Sequence, residues 1–152
     1  PGRRVVREEL VSSGSALPWI DAAAFARRAV ATTIADWQAA TDLEGWAFFD
    51  RSLVDAASAL EHATGDDVLP ELGRAHCYHR LVFFAPPWSE IYEHDDERQH
   101  GFDTAADEYA RLLADYPSLG YDIVVLPRIG MAKRADFILR TLGPKASSAN
   151  SD

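Results

Sequence analysis

The chain has 152 residues, which suits one domain with a hydrophobic core and is too short for two. Its net charge of −9 argues against a general affinity for nucleic acid, because phosphates bind to basic surfaces. We expect neither a membrane span nor a secretory leader, and the single cysteine, Cys77, predicts a cytoplasmic protein without internal disulfides.

The first third of the chain predicts two helices followed by a strand. Residues 3–13 carry apolar side chains at helical spacing, and Asp21 is a suitable N-cap for a helix that extends to about residue 40. The sequence WAFF at 46–49 is too short for a helix and is rich in aromatic residues. It predicts a strand over 46–50 that is buried on both faces of a parallel sheet.

Asp50 and Arg51 come directly after this predicted strand. Ligands of open α/β sheets bind at the carboxyl ends of the strands, so an acid and a base there predict a site for a polyanion with a metal. The alternative is a surface ion pair at the start of the next helix, for which Asp50 or Ser52 is a suitable N-cap. The local sequence favours neither interpretation. Asp55, in the first turn of that helix, is close enough to Asp50 to share a cation.

The remaining residues alternate between helical and strand patterns. Helices are predicted at 52–63, 69–75, 103–116 and 131–142, and strands at 80–85 and 121–126. The polar segment 88–101, in which Arg98 is the one cation among acids, predicts either a solvated helix face or a lid over a ligand. Residues 143–152 have nothing to bury and are predicted to be a disordered tail after a domain of residues 1–142.

Three apolar strands separated by helices predict an α/β fold, a three-layer sandwich with a parallel sheet. The cluster of His76, Cys77 and His79 is interpreted as structural, since a zinc site of that kind needs a second pair of ligands at suitable spacing.

Several stretches of the chain resemble a known family. In chain order they are PGRRVVREEL at 1–10, GSALPW at 14–19, FFDRS at 48–52 with Asp55, and VFFAPPWSEIY at 82–92 with Glu97 and Arg98. Together they resemble the predicted ATPases of the AAA-domain group of P-loop proteins. These are small proteins related to nucleoside, nucleotide and ribosylnicotinamide kinases. The resemblance extends from residue 1 to about residue 142.

The resemblance implies a P-loop kinase-like fold and a set of roles for charged residues. Asp50 would hold a metal-bound water at Mg²⁺ or accept a substrate hydroxyl proton, and Arg51 would contact phosphate or substrate. Arg98 would bring a cation from the lid to the transferring phosphate. Further binding residues implied are Arg128 for the nucleotide, and Arg3, Arg4 and Asp55 for the substrate. The implied partners are a nucleotide and a small molecule, without nucleic acid or membrane insertion, and homodimerisation stays open.

Relatives in this group begin with a βαβ unit that carries a Gly-x-x-x-x-Gly-Lys-Ser/Thr loop, and the 152 residues contain no such run. The expected fold therefore lacks its first βαβ unit, and we expect these residues alone to bind ATP–Mg²⁺ poorly. The leading hypothesis is an ATP-dependent small-molecule kinase or ATPase. A nucleotide-binding regulatory domain and a non-enzymatic scaffold are the alternatives, because a fold does not decide function.

Overall fold

The computed structural model describes residues 1–88 and 102–143. In this part the chain forms α1 Gly2–Ser12, α2 Ala22–Ala40, α3 Leu53–Thr64, α4 Leu69–Ala75, β1 Leu81–Phe84, α5 Phe102–Ser118, β2 Asp122–Val125 and α6 Met131–Leu142. The six predicted helices are confirmed, and so are two of the three predicted strands. Residues 89–101, which include Arg98, and residues 144–152 of the predicted tail lie outside the described residues. No described helix is long and apolar enough to cross a membrane.

Side-chain caps fix where two of these helices begin. The Asp21 carboxylate accepts a hydrogen bond of 2.9 Å from the Ala24 backbone amide, as the sequence predicted. Ser52 caps α3, and its hydroxyl accepts from the Val54 amide at 3.0 Å. The Asp55 carboxylate accepts from the Ser52 amide in return, so the two residues form a capping box.

The two strands form a parallel sheet. Leu81 lies opposite Asp122 and Phe84 opposite Val125. The parallel arrangement confirms an α/β fold, since parallel neighbours need a long crossover and α5 lies in that crossover. The three-layer sandwich requires a sheet covered on both faces and remains a prediction.

The predicted strand over 46–50 is wrong. Residues 46–49 form no ladder, and none of the backbone hydrogen bonds found between the described residues involves residues 46–50. Ring contacts hold the segment instead: Trp46 packs edge-on against His79 and Phe49 against Tyr78. Phe48 is 62% exposed rather than buried. A strand needs a neighbouring backbone to pair with, and the described chain places none beside this segment.

The main core lies between α3, α4, α5 and the sheet. It consists of Val54, Ala57, Leu69, Phe84, Leu112, Tyr116 and Tyr121. This packing brings the start of α3 against the middle of α5. The turn that precedes α3 is thereby fixed relative to both helices.

Candidate functional site

A cavity of about 1720 Å³ is lined by the segments that follow the predicted strands. Its walls include the turn at 50–52, the Pro86 turn after β1 and Pro127 after β2, together with Arg134 of α6. The three segments therefore open into one space; for the segments after β1 and β2 this follows from the parallel pairing, which places the carboxyl ends of both strands at one edge of the sheet.

Arg51 occupies an unusual backbone conformation in the turn before α3. Its φ of 71° lies in the left-handed region, which suits glycine and costs other residues on the order of 1–3 kcal/mol. The next residue, Ser52, has to be extended in order to cap α3, so the chain turns sharply at Arg51. Strain of this kind is typical of functional sites, and it marks residue 51 as a position where a glycine would fold more easily.

Two carboxylates meet the Arg51 guanidinium at the cavity. Its Nη1 donates to Asp55 Oδ1 on α3 and to Glu108 Oε1 on α5, each at 3.0 Å. Burial acts to lower the pKa of Arg51, but the carboxylates of Glu108 and Asp55 outweigh it, so the pKa is raised. Arg51 therefore carries its positive charge at every physiological pH. Exposed ion pairs contribute about 0–1 kcal/mol, and this side chain is 52% exposed.

Asp55 is held by three donors from three directions. Oδ1 accepts from Arg51, and Oδ2 accepts from the Ser52 amide at 2.8 Å and from the Tyr116 hydroxyl at 2.5 Å. Because Tyr116 gives its one hydroxyl proton to Asp55, the Ser52 hydroxyl donates to the Tyr116 oxygen at 2.6 Å. Burial and the Asp55 charge raise the pKa of Tyr116, so this phenol stays neutral. Both carboxylate oxygens of Asp55 are therefore occupied by hydrogen bonds from the protein itself.

Asp50 is the exposed carboxylate of the same turn and lines the same cavity. It has no hydrogen bond or ion pair with the described residues, and its charge is one of those that raise the pKa of Arg51. Among those residues no three or more His, Cys, Asp or Glu side chains form a group that could hold a metal ion. Among the described residues, Asp50 would thus be a lone carboxylate ligand, and Mg²⁺ in phosphoryl-transfer sites commonly completes its ligand set with water and substrate oxygens.

Of the four other arginines predicted to bind a ligand, two line this cavity, one does not, and one lies outside the described residues. Arg3 and Arg128 line it, and Arg128 Nη2 donates to the Pro87 carbonyl at 2.7 Å. Arg4 is not in the lining, and its Nη2 meets both carboxylate oxygens of Asp36 on α2 at 2.8 Å. Arg98 lies outside the described residues, so its predicted place in a lid stays a prediction.

Sequence reasoning missed Glu108 and Tyr116, both on α5. The helical spacing of residues 103–116 predicts Tyr116 as a core residue, and a buried phenol also needs a partner for its hydroxyl. Glu108, Leu112 and Tyr116 follow one another at intervals of four and so share one helix face. An acid on the same face as core residues was the available signal, but its partner Arg51 is 57 residues away.

Comparison with known proteins supports a family assignment. A family model described as an AAA domain matches residues 1–134, which is most of the chain. Comparison with curated proteins and with solved structures returned no match.

Proposed function

The chain belongs to the AAA-domain family, and from that membership we propose that it is a nucleotide-dependent phosphotransferase or ATPase. The proposed reaction uses ATP and Mg²⁺ and, in the transferase form, a small-molecule acceptor. A reducing cytoplasm, in which the exposed thiol of Cys77 stays reduced, is the compartment we propose.

The observation that best supports this function is the placement of Asp50 and Arg51 in the wall of one large cavity. Sites for single small ligands usually enclose about 300–1,000 Å³. At about 1720 Å³, this cavity is larger than that range. An exposed carboxylate beside a permanent cation is the charge pattern that a metal-bound phosphate requires.

The residues present fit ATP–Mg²⁺ in charge. Asp50 would hold Mg²⁺ through a water, and Arg51 would bind phosphate oxygens, with Arg128 toward the nucleotide and Arg3 toward the acceptor. When bound, Mg²⁺ would neutralise charge on the phosphates. The 152 residues contain no Gly-rich phosphate loop, so they supply side-chain charge and no preorganised row of backbone amides.

Arg51 is suited to phosphoryl transfer because the transition state carries charge on oxygens that a fixed cation can stabilise. Its pKa is raised, so the guanidinium is protonated at neutral pH and can interact with a phosphate as a cation. Asp50 is suited to accept a proton from a hydroxyl or a water in the cavity, since no described residue occupies its oxygens. The two adjacent residues thus divide base and charge-stabilising roles between them.

The test is phosphate release from ATP by the purified protein with Mg²⁺. The ATP concentration should be several millimolar, so that weak binding still fills the site. Substituting Asp50→Asn should lower the rate about 10²-fold or more, as loss of a general base typically does, because the amide cannot accept the proton. The melting temperature should change little, because Asp50 is exposed.

Asp42→Asn is the matched control, since Asp42 is an exposed carboxylate in the preceding turn that does not line the cavity. It should release phosphate at the wild-type rate. The proposed function would be wrong if the wild-type protein released no phosphate, or if Asp50→Asn kept the activity of Asp42→Asn.

A further inference from the structure

The two ion pairs of Arg51 leave most of its guanidinium available to a ligand. Glu108 and Asp55 come from different helices but meet the same nitrogen, Nη1. Nε and Nη2 make no ion pair or hydrogen bond with the described residues. Three of the five N–H groups of the side chain therefore remain for a ligand.

Stability alone does not account for this arrangement. Arg51 holds a left-handed backbone conformation that costs on the order of 1–3 kcal/mol, a cost comparable to what two ion pairs of a half-exposed arginine return. A glycine at residue 51 would make the same turn without strain. The arginine is better explained by what it presents to the cavity that it lines.

Both carboxylates that hold Arg51 are themselves anchored. Asp55 is fixed by the Ser52 amide and the Tyr116 hydroxyl. Glu108 stands on α5, where Leu112 and Tyr116, one and two turns later, are 3% exposed and belong to the core. The clamp on Nη1 is thus built on two packed helices rather than on a loop.

We propose that Glu108 is a positioning residue: with Asp55 it holds Nη1 of Arg51 so that the remaining N–H groups face a phosphate anion in the cavity. The inference rests on the proposed function, because it takes a phosphate group as the ligand of Arg51. An unrestrained arginine side chain loses conformational entropy when it binds a ligand. If two carboxylates already hold the side chain in place, most of that entropy is lost on folding and no longer weakens binding.

The direction in which anion affinity changes when Glu108 is removed distinguishes a positioning role from a purely electrostatic one. Glu108 carries a negative charge at the cavity, so removing it should strengthen anion binding if charge were its only influence. If Glu108 instead positions Arg51, its removal should weaken anion binding even though the cavity becomes more positive. The two explanations therefore predict opposite changes in affinity.

The experiment is calorimetric titration of the whole protein with inorganic tripolyphosphate at low ionic strength, without metal or nucleotide. Glu108→Ala should raise the dissociation constant about three- to tenfold, the range expected for one immobilised side chain. Arg51→Ala should abolish the measurable binding. Glu108→Gln, which keeps an oxygen acceptor for Nη1, should fall between wild type and Glu108→Ala.

Asp107→Ala is the matched control. Asp107 is the preceding residue of α5, is exposed and lines the same cavity, but it has no bond to Arg51. Its removal should leave tripolyphosphate affinity unchanged or slightly stronger. Equal affinities for Glu108→Ala and Asp107→Ala, or no tripolyphosphate binding by wild type, would overturn the proposal.

A second readout needs no ligand. The ¹⁵Nε order parameter of Arg51, measured at a pH low enough to slow exchange with water and assigned by loss of the signal in Arg51→Lys, should be high in wild type and Asp107→Ala. In Glu108→Ala it should fall, because one of the two groups that hold Nη1 is lost; an order parameter equal to that of wild type would count against the clamp. Failure of ATP turnover alone would contradict the proposed function, whereas these two measurements decide the role of Glu108 separately.

Discussion

At the scale of single residues, Tyr116 joins the core to the cavity wall. Its ring packs edge-on against Phe84 and Tyr121, and its hydroxyl donates to the carboxylate of Asp55. Burial in that core, with a carboxylate as acceptor, raises the pKa of the phenol above its ordinary value of 10.0. Tyr116 thus stabilises the folded state only in its neutral form.

The raised pKa of Tyr116 predicts that the free energy of unfolding decreases at alkaline pH. Below pH 10 the phenol is protonated in both folded and unfolded chains, so it adds no pH dependence. Above pH 10 the unfolded chain loses the proton and the folded chain keeps it, so the free energy of unfolding falls by up to about 1.4 kcal/mol per pH unit. Urea unfolding of wild type and Tyr116→Phe between pH 9 and 11.5 should show that the variant loses this slope.

The variant should also be less stable at pH 7, by about 1–2 kcal/mol, because Asp55 loses a donor. Tyr78 and Tyr121 also have raised pKa values from burial, so part of the alkaline slope should remain. Tyr109→Phe is the control, since the Tyr109 hydroxyl has no hydrogen-bond partner among the described residues. Parallel pH curves for wild type and Tyr116→Phe would contradict the assignment.

At the scale of elements, the connection between α1 and α2 depends on a buried acid. Glu9 is 6% exposed, accepts from the Ala16 amide at 2.8 Å and forms an ion pair with Arg28 of α2. Gly14 approaches this carboxylate so closely that a Cβ at residue 14 would overlap it. The glycine is thus required by the space around Glu9.

Gly14→Ala should therefore displace the Glu9 carboxylate from its two partners. Overpacking typically costs about 1–3 kcal/mol, and a buried carboxylate that loses partners adds to that cost. Chemical denaturation should show the loss as a lower midpoint. Gly130→Ala is the control, because a Cβ there meets open space, and it should unfold near the wild-type midpoint.

At the scale of the whole molecule, the segment 46–49 lines the cavity as irregular chain without a backbone partner among the described residues. The two-stranded sheet is nearby, because Trp46 and Phe49 contact His79 and Tyr78, just before β1. Within the described part of the chain, these ring contacts hold the segment that leads to Asp50 and Arg51.

Amide hydrogen exchange should distinguish this segment from the sheet. The amides of Ala47, Phe48 and Phe49 should exchange within seconds to minutes, because none of the described residues accepts a backbone hydrogen bond from them. The amides of Asp122 and Leu126 donate to the carbonyls of Arg80 and Phe84 and should exchange far more slowly. Protection of residues 47–49 equal to that of β2 would show that they belong to a sheet after all.

The sequence by itself determined the helices and the N-cap of α2, and it named Ser52 together with Asp50 as candidate caps of α3. Each of these depends on local periodicity or on a side chain within a few residues of its partner, as with Asp21 and Ala24. The sequence also singled out Asp50 and Arg51, since an acid and a base directly follow an apolar run.

Only the tertiary structure decided the state of residues 46–50 and the partners of Arg51. An apolar run predicts burial and extension, but a strand also requires a neighbouring backbone, which no local pattern supplies. Likewise, no spacing in the sequence pairs Arg51 with Glu108 or Asp55 with Tyr116, because those contacts join residues 57 and 61 positions apart. They form when packing of α3 against α5 brings the helix faces together, and side-chain contacts across helices are set by that packing alone.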